Sequence, residues 1–252
     1  MVRPPALNRW MSIKKRLDEA LVLRGLYPSR ARARDAVLRG TVRIDGVVAA
    51  KPSQSVGPDT LVTIHDEAQH YVSRAALKLK HGLKHFAIDA RGRHCLDIGA
   101  STGGFTQVLL EQDAAHVTAI DVGHGQMKLE DARITRIEGL NARDLRRENL
   151  AHPIDLIVCD VSFISLKLAL PAALELAEKG ATLVALIKPQ FEAGREALGK
   201  GGIVGDPMVH EQVCREVAAF LREQAWRVQG ITASPLEGGD GNREFLIAAL
   251  KE

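Results

Sequence analysis

Apolar positions in the first part of the chain fall at helical spacing. From Ile13 to Leu23 they recur at Ile13, Leu17 and Leu21, and Gly25 follows as a C-cap. Ser29 then caps a second helix whose inward face is Ala33, Ala36 and Val37, ended by Gly40. The period changes at Val42-Arg43-Ile44-Asp45-Gly46-Val47, a strand with an Asp-Gly turn signal, and after a turn-rich stretch Leu61-Val62-Thr63-Ile64 closes a small hairpin. Residues 1–11 read as a disordered tail, residues 12–65 as one small domain, and residues 66–72 as a polar linker. Ser73 can cap the next helix, which carries an apolar stripe of Leu77, Leu79, Leu83 and Phe86.

Beyond Gly92 the pattern alternates. Strands are predicted near Cys95–Ile98, Val117–Asp121, Ile134–Glu138, Ile154–Asp160, Ala181–Lys188, Trp226–Ala233 and Phe245–Leu250. Helices are predicted between them near Phe105–Glu111, Gly125–Ala132, Lys167–Glu178 and Val209–Glu223. Such alternation specifies an α/β domain, residues 73–252, with a doubly wound and mainly parallel sheet. Ligands in these sheets bind outside the carboxyl ends of the strands, where Asp97, Asp121, Asp160 and Lys188 stand. The glycine-rich stretch Gly194–Asp206 reads as a mobile substrate loop.

Charge sharpens the division. The whole chain carries +3, yet residues 1–60 hold 12 Lys and Arg against 5 Asp and Glu. A basic module on a slightly acidic body suggests a polyanion as partner. No apolar run approaches the roughly 18 residues of a membrane span, and Met1–Met11 has no apolar leader core, so a cytoplasmic protein is expected. Cys95, Cys159 and Cys214 form no CxxC and are expected to be buried thiols rather than a disulfide framework. His81 and His85 have metal-ligand spacing on one helix, but no third ligand is evident and no metal is expected.

The stretch with the most chemistry is Asp97-Ile98-Gly99-Ala100-Ser101-Thr102-Gly103-Gly104-Phe105. A strand, a glycine turn and a helix bring backbone close to a nucleotide, and the spacing departs from the GxGxxG of dinucleotide sites. Asp97 can accept a hydrogen bond from an ammonium group, which suits S-adenosylmethionine. Asp121 suits the ribose hydroxyls, and Asn141 is placed to meet an adenine edge. Asp160 is not followed by the Pro-Pro-Tyr/Phe pattern of amino-methylating enzymes, and no Pro-Cys pair supplies a nucleophile for pyrimidine carbon. These absences favour oxygen as methyl acceptor.

Two resemblances extend this reading. Arg16-Leu17-Asp18, Gly25-Leu26, Ser29-Arg30-Ala31-Arg32-Ala33, Gly40-Thr41-Val42-Arg43-Ile44-Asp45-Gly46 and Lys51-Pro52-Ser53 resemble the small RNA-binding domain shared by a small-subunit ribosomal protein, pseudouridine synthases and tyrosyl-tRNA synthetases. That resemblance implies RNA contacts by Arg16, Arg30, Arg32, Arg34 and Arg39. Further on, Tyr71-Val72-Ser73-Arg74, the Asp97 turn, Asp121-Val122-Gly123-His124-Gly125-Gln126, Asn141-Ala142-Arg143, Asp160-Val161-Ser162-Phe163, Lys188-Pro189-Gln190-Phe191 and Gly241-Asn242-Arg243-Glu244 are similar to the TlyA family. These are FtsJ-like, haemolysin A-like ribosomal RNA 2′-O-methyltransferases.

The resemblance implies a Rossmann-like, seven-stranded methyltransferase domain preceded by a small α+β RNA-binding domain. It implies S-adenosylmethionine held by Asp97, Gly99, Ala100, Ser101, Gly103, Phe105, Asp121 and Asn141, and ribosomal RNA or ribosomal subunits as partner. It also implies a catalytic Lys-Asp-Lys-Glu set at Lys78, Asp160, Lys188 and Glu244. Ala75-Ala76 departs from the family, which usually has glycine after Ser-Arg. A ribose hydroxyl must lose its proton as it attacks, so Lys188 is expected to orient or deprotonate it, with Lys78 positioning the acceptor and the two acids holding the lysines. Free lysine has a pKa of about 10.4, so a lysine base must be partly neutral, through burial or a nearby cation. Other readings are a same-fold enzyme acting on a small molecule, a membrane-active haemolysin or cytolysin, and a non-catalytic RNA-binding protein. Oligomeric state and the modified nucleotide stay open.

Overall fold

The computed structural model describes residues 14–238 and 241–252. The expected tail at residues 1–11 and Ile13 lie outside them. The chain forms two units, Met1–His70 and Tyr71–Glu252.

In the first unit β1 (Lys15–Arg16) leads into α1 (Leu17–Leu23), followed by α2 (Arg30–Leu38), β2 (Val42–Ile44), β3 (Val47–Val48), β4 (Ser55–Val56) and β5 (Val62–Ile64). Ser29 caps α2 by accepting from the Arg32 amide. Asp45 and Gly46 both take left-handed backbone between β2 and β3, the conformation of a type I′ hairpin turn. Leu17, Leu21, Ala33, Val37 and Val42 form the core.

Asp66 departs from the linker reading. It is buried, accepts Nη1 and Nη2 of Arg39 at 2.7 and 2.9 Å, and accepts the Tyr27 hydroxyl at 2.8 Å. Burial alone would raise its carboxyl, but Arg39 and Tyr27 hold it below the usual range. Glu67–His70 then forms a 3-10 turn.

The second unit runs α3 (Ala75–His85), β6 (His94–Ile98), α4 (Gly104–Glu111), β7 (His116–Asp121), β8 (Ile134–Glu138), β9 (Ile154–Cys159), α5 (Leu166–Ala169), α6 (Pro171–Leu176), β10 (Ala177–Ile187), α7 (Pro189–Glu192), α8 (Pro207–Glu223), β11 (Trp226–Ala233) and β12 (Phe245–Lys251). Seven strands form one sheet in the order β11-β12-β10-β9-β6-β7-β8. Only β12 is antiparallel to its neighbours. Both faces are covered, so successive strand residues enter opposite cores. Leu183, Ala185 and Ile187 of β10 pack in one core, while Val184 and Leu186 pack in the other.

Two predicted helices form differently. Gly125–Ala132 is not helical: Gly125 has left-handed backbone and donates to Glu138, and Lys128 donates to the Thr102 carbonyl at 3.2 Å. So short a segment cannot offset helix nucleation alone, and it runs along the glycine turn instead. The Lys167–Glu178 segment breaks into α5 and α6 because Pro171 has no amide hydrogen to continue the first helix, and Glu178 belongs to β10. Ser73 accepts from the Ala75 amide at 3.2 Å, just ahead of α3. The three cysteines are free, and burial pushes Cys95 up to about 12 and Cys214 up to about 11.

Candidate active site

The carboxyl ends of β6, β7, β9 and β10 bring Asp97, Asp121, Asp160 and Lys188 to one rim of the sheet. Between β6 and α4 the backbone turns tightly. Gly99 and Gly103 have φ of +80° and +98°, and Ser101 has +47°. A Cβ on Gly99 would lie 2.5 Å from the Asp160 carbonyl oxygen, and one on Gly103 would lie 2.6 Å from Met127 Sδ. Only glycine fits both places.

Asp97 is fully buried. Its Oδ2 accepts from Thr106 Oγ1 at 2.6 Å, while its buried Oδ1 has no partner. Burial pushes the carboxyl up to about 7, against the Thr106 hydrogen bond. A buried carboxylate oxygen left without a donor beside a glycine turn calls for a cationic ligand group. That requirement fits the amino-acid end of S-adenosylmethionine.

Asp121 is already engaged: Oδ2 accepts the Ser101 amide at 2.9 Å and Oδ1 the Gly123 amide at 2.7 Å. Its carboxylate therefore braces the turn, and any ligand hydroxyl adds to those bonds. Asn141 caps a short 3-10 turn through the Arg143 amide, the bland role of a loop asparagine. Phe105, in the first turn of α4, has its ring buried in the core. Ala100 is buried too.

The predicted Lys-Asp-Lys-Glu set assembles as two ion pairs around one pocket of about 540 Å³. Lys78 on α3 pairs with Glu244 ahead of β12, their side chains only 7% and 3% exposed. Lys188, after β10, lies 2.6 Å from Asp160 Oδ1 and donates to Ser162 Oγ at 2.9 Å. Burial raises the Glu244 carboxyl, opposed by the Lys78 ammonium. Lys78, Lys188 and Glu244 line the pocket together, and Asp160 reaches it through Lys188. Asp160 also abuts Gly99, so the glycine turn and the charged pocket share a wall.

Sequence reasoning missed two residues here. Ser162 braces Lys188, and Phe163 stands at the pocket with 90% exposure, a left-handed φ of +67°, and its ring 5.1 Å from that of Phe191. Their signal was adjacency to Asp160. A strained, exposed aromatic beside a polar pocket is a site feature rather than a packing one.

The basic unit also needs sorting. Arg34 is exposed, and Arg16 and Arg30 lean on Asp18 with half or more of their side chains exposed. Arg32 donates to the Ala68 carbonyl. Arg39, by contrast, has its guanidinium held by Asp66 and Asp35, with 14% of the side chain exposed. His81 and His85 stack at 5.9 Å, and among the described residues no group of three or more His, Cys, Asp or Glu could hold a metal.

Comparison with known proteins gives consistent matches. The FtsJ-like methyltransferase family model matches residues 71–251, and the S4 domain model matches residues 15–62. A Mycobacterium tuberculosis relative named 16S/23S rRNA (cytidine-2′-O)-methyltransferase TlyA is 45% identical over 241 residues, covering 94% of this chain and 90% of that protein. Hemolysin A of Brachyspira hyodysenteriae is 39% identical over 236 residues, covering 92% and 98%. A solved structure of a hemolysin from Streptococcus thermophilus superposes with a TM-score of 0.73 at 39% identity, covering 96% of this chain and 89% of that one.

Proposed function

Because the chain belongs to the FtsJ-like methyltransferase family, with an S4 domain ahead of the methyltransferase unit, we propose that it methylates a ribose 2′-hydroxyl of ribosomal RNA. The methyl donor is S-adenosylmethionine, held by Asp97, Gly99, Ser101, Gly103 and the Asp121-braced turn. Bound there, it supplies an electrophilic methyl group. Cytidine as the acceptor nucleotide follows the M. tuberculosis relative.

The observation that carries this reading is the two Lys-acid pairs gathered at one pocket, which Lys78, Lys188 and Glu244 line. Oxygen methylation needs an aligned hydroxyl, a route for its proton, and no cysteine nucleophile. Lys188 meets the first two requirements. Asp160, 2.6 Å away, and Ser162 fix the Nζ atom, and in the neutral amine its lone pair is left to take the hydroxyl's proton. As the hydroxyl attacks, its proton passes to Lys188, and Asp160 stabilises the ammonium that results. Lys78, held by Glu244, positions the acceptor's ribose or adjoining phosphate. Phe163 offers a face on which a base displaced from its stack can rest. Exposed Arg34, with Arg16 and Arg30, supplies salt-dependent attraction to RNA from the S4 unit. Ribosomes place the protein in the cytoplasm.

The deciding experiment is Lys188→Ala, assayed for methyl transfer to ribosomal RNA and for S-adenosylmethionine binding. Loss of roughly 100-fold or more in rate with cofactor binding intact is expected. Methylation at the wild-type rate would overturn the assignment.

A further inference from the structure

The glycine-rich loop expected to be mobile is fastened. Gly201 and Gly202 adopt successive left-handed conformations, φ +76° and +75°, with nothing within 4 Å of either Cβ position. Backbone of this kind has no intrinsic reason to hold one shape. Inside the loop the Gly199 amide donates to the Ile203 carbonyl at 2.9 Å and the Gly202 amide to the Gly199 carbonyl at 3.1 Å, and buried side chains outside the loop supply further anchors.

Asn242 is fully buried and supplies two of them. Its Oδ1 accepts from the Val204 amide at 2.9 Å, and its Nδ2 donates to the Gly202 carbonyl at 3.1 Å. His210 supplies the third, with Nε2 2.7 Å from the Val204 carbonyl oxygen. A carbonyl only accepts, so that nitrogen carries the proton. His210 sits in the first turns of α8, and its ring lies 5.6 Å from that of Phe245, the first residue of β12. Both polar groups of Val204 are thus satisfied from outside the loop.

The fastened loop is a wall of the pocket. Leu198 and Gly202 line it together with Lys78, Lys188 and Glu244. Gly202 is both a lining residue and the residue whose carbonyl Asn242 holds. Asn242 precedes Glu244 by two residues, so one short segment places the acid of the Lys78 pair and the anchor of the loop.

We propose that Asn242 and His210 are positioning residues that seat the Gly199–Val204 loop as the acceptor side of the pocket, and so set affinity for the RNA acceptor without contacting it. This inference rests on the RNA methyltransferase reading. Asp97 and the glycine turn are not part of the clamp, so cofactor binding is separable from it.

The test uses the full-length protein, with steady-state methyl transfer onto ribosomal subunits and calorimetric binding of S-adenosylmethionine. In Asn242→Ala and His210→Ala, KM for the subunit should rise roughly tenfold or more, while cofactor Kd stays within about twofold. His210→Gln places an amide donor where Nε2 stands and should recover KM to within about threefold of wild type. Unchanged KM in both alanine variants, or cofactor affinity falling in parallel with KM, overturns the proposal. If Asn242→Ala does not fold, the two His210 variants decide, since His210→Gln restores the donor that His210→Ala removes. Wild-type activity in Lys188→Ala would instead sink the reading of the site, so the two failures are distinguishable.

Discussion

Asp97→Asn tests the cofactor site through an effect of pH on the unliganded protein. Asp97 is fully buried, and burial holds its carboxyl at about 7, whereas an unfolded aspartate titrates near 3.9. Between those values the folded state keeps a proton that the unfolded state has released, so stability falls as pH rises. The interval is about three pH units, worth about 4 kcal/mol at about 1.36 kcal/mol each. Above pH 7 this group adds no further slope. In Asp97→Asn the slope disappears, and the variant should melt roughly 10 °C higher than the wild type at pH 8, at 2–4 °C per kcal/mol for a unit of this size. The ligand dependence has the opposite sign. An ammonium group needs the ionised carboxylate, so cofactor affinity should fall about tenfold per unit as pH drops below 7, and Asp97→Asn should bind about 10–100-fold more weakly at pH 8. Thermal unfolding of both proteins from pH 5 to 8, with calorimetric titration of S-adenosylmethionine at pH 6 and 8, reads both quantities. Equal pH slopes in the two proteins, or wild-type cofactor affinity in the variant, would refute the reasoning.

Three further outcomes follow from the charged residues. Glu244→Ala strands the buried Lys78 ammonium and should cost about 3–5 kcal/mol by denaturant unfolding, whereas Lys78→Met with Glu244→Leu should recover most of that stability and stay inactive; equal losses in single and double variants would deny the pairing. Arg39→Ala leaves Asp66 buried without its cation and should destabilise the S4 unit by a similar amount, seen as an earlier melting step. Arg34→Ala should leave melting unchanged and lower the salt slope of RNA binding by about 1, a result that loss of fold could not mimic.

How much of this was readable in advance depends on whether a residue's role is set locally. Strands of a sheet covered on both faces are short apolar runs, and their polar stops at Asp97, Asp121, Asp160 and Lys188 mark where the backbone leaves the core, so seven strands and their functional rim were legible. Gly125–Ala132 was not, because its apolar Met127 and Leu129 serve to cover Gly103 rather than a helix face. Arg39 caps the helix that carries Arg30, Arg32 and Arg34, and only Asp66, distant in sequence and read as linker, reveals its burial. Within the site, the four charged residues were named from motifs, yet their pairing was not. Lys78 finds Glu244 across 166 residues, and that partnership depends on β12 running antiparallel beside β10. Ser162 and Phe163 were visible as letters, but their roles come from a side-chain direction and a positive φ that no periodicity encodes.

The features that work against stability gather at one rim of the sheet. Two ion pairs are withdrawn from water there, although hydrophobic replacements of buried pairs are often neutral or stabilising by about 1–4 kcal/mol. Asp97 holds an unpartnered buried oxygen, and Phe163 combines left-handed backbone with exposure. Folding needs none of these. A protein that only held RNA would need the exposed arginines of the S4 unit and could fill the pocket with leucine. Such costs are retained where chemistry requires fixed charges before the substrate arrives. The set here is the Lys78 ammonium, two carboxylates and the Lys188 amine beside a turn that needs glycine at Gly99 and Gly103. That set matches the transfer of a methyl group to an oxygen whose proton must leave, and the methyltransferase reading accounts for all of these costs together.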